Sequence, residues 1–191
     1  MKHICVFCGS GKGKDPIYEN ITLELADVIV KNDLTMVYGG GSIGIMGVLA
    51  DKILSMNGKV IGVIPRFLYD LEVGHDGVTE LIIVNSMHER KQKLAEIADG
   101  FLALPGGFGT LEEMSEILTW IQLKLIHKPI GILNMNGFYD HFLKMLDNMV
   151  AAGFLKQNNR DILLSSNDPI SIIEKIKSAP VFEDTKWIDK T

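Results

Sequence analysis

The chain has 191 residues with 47% apolar and 23% charged side chains and a formal charge of −5, the balance of one globular domain rather than a disordered chain. A net negative charge argues against a nucleic-acid groove or an anionic membrane surface as the main partner. No apolar run reaches bilayer length, and the start is too short in apolar residues for a secretory signal; two cysteines make no disulfide framework, so the expected location is cytoplasmic.

Short apolar runs alternate with amphipathic stretches. The first strand, residues 3–8, contains Cys5-x-x-Cys8. An odd separation along a strand points the two thiols to opposite faces, which favours small buried hydrophobes over a redox or metal pair. A glycine-rich segment, 9–13, leads to Asp15-Pro16, a helix start with Ile17, Ile21, Leu25 and Val28 on one face. Leu34 to Tyr38 reads as a second strand, and Gly39 to Gly44 turn into a helix running to about Asn57. Lys59 to Ile64 is a third strand. Residues 66–80 read as an irregular loop, long enough to suggest a function.

Leu81 to Val84 is a fourth strand, followed by Ser86 and Glu89 at capping-box spacing. Phe101 to Leu104 is a fifth, followed by Pro105-Gly106-Gly107-Phe108-Gly109 and a second capping-box pattern, Thr110 to Glu113. Pro129 to Leu133 and Ile162 to Leu164 are further strands, with helices over 138–152 and from Asp168-Pro169 to about Lys177. Residues 1–180 are expected to form one domain, with 181–191 a polar tail and Trp187 a docking point. Strands alternating with helices predict an α/β fold, a parallel sheet of about six or seven strands covered on both faces. All strand-to-helix junctions then converge on the carboxyl edge, where ligands bind.

Residues 106–110 suit an anion, because bare glycine backbone feeds a helix N-terminus and Thr110 adds a hydroxyl; the alternative is a tight turn with ordinary capping. Glu113 is either the third-position acid of that cap or a carboxylate one turn from a bound phosphate. Arg90 and Lys91 lie where cations oppose a helix dipole, so either a ligand's negative charge offsets the cost or they form a solvated basic face. Gly39, Gly41 and Gly44 match G-x-G-x-x-G but lack the acid that holds a ribose, and the Gly-Lys pairs lack phosphate-loop spacing, which disfavours dinucleotide and Walker-type sites.

Ser86-Met87-His88-Glu89-Arg90-Lys91 and Pro105-Gly106-Gly107-Phe108-Gly109-Thr110-Leu111-Glu112-Glu113 resemble the two signatures of the LOG ("lonely guy") family. Tyr38-Gly39-Gly40-Gly41 with Gly44, Met46 and Gly47, and Cys8-Gly9-Ser10, resemble its two other glycine loops, although many members carry serine where Gly11 stands here. The resemblance implies a three-layer Rossmann-like fold and a phosphoribohydrolase that cleaves the N-glycosidic bond of adenine-type nucleoside 5′-monophosphates, AMP or cytokinin riboside monophosphates, to free base and ribose 5-phosphate. It implies no metal and no organic cofactor. By motif, Arg90 and Glu113 would be the catalytic pair. Gly106, Gly107, Phe108, Gly109, Thr110, Leu111 and Glu112 would hold phosphate and ribose, with Thr119 close by. Glu72 would meet the base, and Gly9, Ser10, Gly40, Gly41, Gly44, Met87 and Lys91 would complete the substrate site. A homodimer with shared sites is also implied, with a small nucleotide, and neither nucleic acid nor membrane, as partner. An older label for the family, lysine decarboxylase, finds no pyridoxal-phosphate pattern in this chain. The alternative is a non-catalytic carrier of a nucleotide or of a phosphorylated cofactor, such as the molybdenum cofactor, which would not need both Arg90 and Glu113.

Overall fold

The computed structural model describes residues 1–180, the side chains of residues 72 and 73 excepted; the tail with Trp187 lies outside the described residues. Seven strands form one sheet, parallel throughout: β1 (His3–Phe7), β2 (Thr35–Tyr38), β3 (Lys59–Pro65), β4 (Glu80–Val84), β5 (Gly100–Ala103), β6 (Ile130–Leu133) and β7 (Leu163–Ser166). Their order is β4-β3-β2-β1-β5-β6-β7. The chain winds outward from β1 to β4, then returns to the centre and winds the other way from β5. The direction therefore reverses between β1 and β5, and a doubly wound sheet opens its ligand crevice at that reversal.

One face is covered by α1 (Ile17–Lys31), α2 (Gly44–Ser55) and, after β7, by the last helix. The other is covered by α4 (Met87–Ile97), which follows a short helical turn α3 (Arg66–Leu68), by α5 (Phe108–Gln122) and by α6 (Asp140–Ala151). A four-residue turn α7 (Gln157–Arg160) and α8 (Pro169–Ser178) complete the chain. The central strands are apolar because both of their faces are buried: Ile4, Val6, Met36 and Leu102 face α1, α2 and α8, whereas Cys5, Val37, Phe101 and Ala103 face α4 and α5. Cys5 and Cys8 fall in these two opposite cores, both as free thiols, and burial pushes both above the ordinary thiol range. No helix of the described residues is long and apolar enough to cross a membrane.

Local signals place most element starts. Asp15 Oδ1 accepts from the Ile17 amide at 3.0 Å, so α1 starts one residue after the expected Pro16. Its buried face is Thr22, Leu25, Ala26, Val28 and Ile29, with Ile17 and Ile21 only partly covered. Asp168 caps α8 through the Ser171 amide at 2.7 Å. The segment after β3 is less irregular than its composition suggests. α3 runs into a π-helical turn at Tyr69–Val73, and the following residues fold back over the second glycine loop. There His75 N–H donates to the Gly40 carbonyl, and Gly41 bridges Gly74.

Candidate active site

The ends of β1 and β5 meet where the winding reverses. The Gly9 amide donates to the Pro105 carbonyl at 3.1 Å, so the Cys8–Ser10 loop and the Gly107–Thr110 turn become two walls of one cleft. That cleft, about 300 Å³, is closed by Met46 of α2, by Met87 and Arg90 of α4, and by Glu112 and Glu113 of α5.

Helix α4 begins as its sequence predicts. Ser86 Oγ accepts from the Glu89 amide at 3.1 Å, while the Glu89 carboxylate turns back to the Asn85 amide at 2.7 Å. Helix α5 does not. It begins at Phe108 with Gly107 as N-cap, no side chain caps it, and no acid lies in its first turn. The predicted capping box at Thr110 is thus corrected: Thr110 lies inside the first turn, and Glu113 is a turn further on, where it caps nothing. The leading amides of α5 keep their hydrogen-bonding capacity and the positive end of the helix dipole is uncompensated, the two conditions for an anion site. A Cβ added at Gly107 or Gly109 meets nothing within 4 Å, so the turn is bare towards open space.

Freed from capping, Glu113 accepts an ion pair from Arg90: Nη2 to Oε1 is 3.1 Å, with the side chains only 12% and 10% exposed. Burial pushes the Glu113 carboxyl above its ordinary value; Arg90 pulls it down without reversing the shift, and Glu112 adds to the rise. Arg90 has donors to spare: among the described residues Nη1 reaches only the Met87 sulfur, at 3.8 Å, and Nε is buried with no hydrogen-bond partner. An unpaired buried donor beside a cleft is costly unless a ligand satisfies it.

Lys91 behaves differently. Its ammonium lies 2.6 Å from Glu112 and 3.0 Å from Glu116. Burial alone would lower it, but these two hydrogen bonds outweigh burial and raise it. The two cations of α4 therefore reach α5 by parallel cross-helix pairs, Arg90 to Glu113 and Lys91 to Glu112, because successive residues on a helix point about 100° apart.

Of the residues singled out in the sequence, Gly9, Ser10, Met87, Arg90, Gly107, Phe108, Gly109, Thr110, Glu112 and Glu113 line the cleft. Gly106 lines an adjoining hollow of about 330 Å³ with Tyr18 and Phe138. Gly40 and Gly41 instead hold the 74–75 segment. Gly44 has φ +64°, and a Cβ there would overlap the backbone of Ser10, so it fastens the first loop to α2. Leu111, on α5 itself, is half-buried against the core on that face of the sheet. Thr119 lines a separate groove between α5 and α6 and donates to the Ser115 carbonyl at 2.8 Å. The backbone of Glu72 lies in the π-helical turn, and its side chain lies outside the described residues. Cys8 and Met46 also line the cleft; the sequence assigns neither a site role, and the signals that could have found them are their places in the two glycine-loop motifs and, for Cys8, at the end of a buried strand on the carboxyl edge.

The structure is that of a doubly wound α/β protein with an uncapped helix N-terminus beside a buried cation–carboxylate pair, an arrangement that suits a small anionic ligand. The chain belongs to the LOG family. A family profile described as "possible lysine decarboxylase" matches residues 46–176. The chain is 42% identical over 178 residues to the Arabidopsis thaliana cytokinin riboside 5′-monophosphate phosphoribohydrolase LOG5, covering 93% of this chain and 78% of that one. It is 43% identical over 184 residues to the Oryza sativa subsp. japonica enzyme LOG, covering 96% and 76%. Among solved structures, the molybdenum cofactor binding protein of Rippkaea orientalis superposes with a TM-score of 0.69 at 20% identity, over 93% of this chain and 97% of that one. The carrier protein of Chlamydomonas reinhardtii superposes at 0.64 and 20%, over 93% and 98%. At that identity the likeness is one of fold. The decarboxylase description does not suit the cleft: pyridoxal phosphate is carried on a lysine, none of the lining residues is lysine, and Lys91 is held by Glu112 and Glu116.

Proposed function

We propose that the protein is a phosphoribohydrolase of cytokinin riboside 5′-monophosphates and related adenine nucleotides. Water adds at C1′ of the ribose and the C1′–N9 bond breaks, its electron pair leaving with the base, which takes up a proton. The products are the free base and ribose 5-phosphate. The observation that carries this reading is the buried Arg90–Glu113 pair, 3.1 Å apart, one turn behind an uncapped helix N-terminus.

Each part has a task in such a reaction. The leading amides of α5 grip the 5′-phosphate, remote from the bond that breaks, and so supply binding energy that orients the ribose. Bond cleavage builds positive charge on the sugar, and the fixed carboxylate of Glu113 stabilises it or activates the attacking water. Arg90 holds Glu113 in place and offers its remaining donors to the ligand. A molybdenum-cofactor carrier is less supported, because the solved carriers share only 20% of residues with this chain, against 42% and 43% for the two plant enzymes.

The reading includes a homodimer. Helix α6 buries no residue fully, and its outer face meets α5 in a groove of about 300 Å³ lined by Leu118, Thr119, Met145, Met149 and Leu155; Phe154 beside it is 89% exposed. An apolar face of this kind suits a second copy of the chain and would bring Thr119 towards the partner's site. Light scattering should report a dimer that Met145→Glu dissociates, with loss of turnover; a fully active monomer would contradict the shared site. The catalytic test is incubation with AMP and with isopentenyladenosine monophosphate, following free base by chromatography.

A further inference from the structure

Gly39 is the residue on which the catalytic arginine sits. It directly follows β2, the strand beside β1, at the carboxyl edge. A Cβ built there would overlap Arg90 Nη2 outright and lie 3.0 Å from Cζ and 3.5 Å from Nε, so its three nearest neighbours all belong to one guanidinium. No backbone atom is among them. Its φ lies outside the left-handed region, so alanine is compatible with the main chain at this position.

The other glycines of the same loop answer to different neighbours. Gly40 meets Ile64, and Gly44 meets the Ser10 backbone. A methyl group at either would strain the fold, whereas a methyl group at Gly39 would push only the far end of a side chain. The displaced atom, Nη2, is the one that holds Glu113. Because an ordinary carbon contact needs more than 3.4 Å, the guanidinium would have to move by roughly 1 Å or more, and the ion pair would open or turn.

We infer that Gly39 is a positioning residue for the reaction: its bare α-carbon forms the seat that holds the Arg90 guanidinium against Glu113. This inference rests on the hydrolase reading above. Its content is that the first glycine of the second loop is required by the catalytic pair and not by the turn.

The experiment compares Gly39→Ala with the unaltered protein by turnover of AMP and isopentenyladenosine monophosphate, by thermal melting, and by crystallography. Turnover should fall on the order of 10²-fold, the usual cost of a misplacement near 1 Å. The melting temperature should fall by several degrees at most, because the lower entropy of the unfolded chain partly offsets the cost of opening a buried ion pair. The crystal structure should show Arg90 Nη2 drawn away from Glu113. Turnover within about threefold of the unaltered protein, or an Arg90–Glu113 contact retained near its original length, would each overturn the inference. Should the unaltered protein release no base at all, the hydrolase reading fails, and the crystal structure of the variant alone then decides whether Gly39 seats Arg90.

Discussion

Two glycine-rich turns leave the carboxyl edge of the same sheet, and they serve opposite ends. In the turn after β2 the glycines meet protein: Gly39 the Arg90 guanidinium, Gly40 the Ile64 side chain and Gly44 the backbone of Ser10. In the turn after β5, Gly106 meets Thr110, but Gly107 and Gly109 face open space at the uncapped start of α5. The first turn is a scaffold that lets other parts of the chain come close. The second leaves its amides for a ligand. Similar composition hides the difference, and only what each missing Cβ would touch reveals it.

The sharpest way to break this division of labour is at the pair that joins the two turns. Glu113→Gln keeps size and hydrogen-bonding shape while removing the charge, and should lower kcat by about 10²-fold or more while the nucleotide still binds. A variant that kept full turnover would leave Glu113 no part in the reaction. Next in size is Gly107→Ala, which meets no protein atom but narrows the ligand side of the α5 turn. Its KM for the monophosphate should rise about tenfold, equivalent to roughly 1.4 kcal/mol of binding, with an unchanged melting temperature. Gly44→Ala should do the reverse, losing at least about 1 kcal/mol of stability, since the positive φ and the Ser10 backbone both oppose a side chain. Urea unfolding and steady-state kinetics on both variants would separate scaffold from ligand turn.

The smallest effect is in pH. In the proposed reaction Glu113 acts as a carboxylate, and burial raises its carboxyl above the ordinary value of 4.5. The acid limb of the kcat profile should therefore lie above that value, activity falling as pH drops through it. Arg90 pulls the carboxyl down, so Arg90→Ala should move the limb to higher pH as well as slow the reaction. A limb that stays put would mean that the pair does not set the ionisation of Glu113.

Much of the architecture is visible in the order of residues. Apolar runs punctuated by glycine and caps predict a parallel sheet covered on both faces, and the Asp168-Pro169 and Ser86-to-Glu89 signals place helix starts within a residue or so. Strand order is not visible, because the pairing of β1 with β5 joins segments almost a hundred residues apart. Spacing alone also leaves the placement of Glu113 open, although the family resemblance pairs it with Arg90. Thr110 and Glu113 have the spacing of a cap, and only the earlier start of α5 at Phe108 shows that Glu113 is released to face Arg90. Arg90 and Lys91 are adjacent cations in the sequence, and their separate partners emerge only when α4 and α5 lie side by side. Gly39 is one of three identical neighbours, with no local mark of which one supports the arginine.

The most direct measurement is the product balance from isopentenyladenosine 5′-monophosphate. Free isopentenyladenine and ribose 5-phosphate should appear in equal amounts, with Glu113→Gln slowing both together. Release of inorganic phosphate with an intact nucleoside, or a nucleotide bound and recovered unchanged, would contradict it.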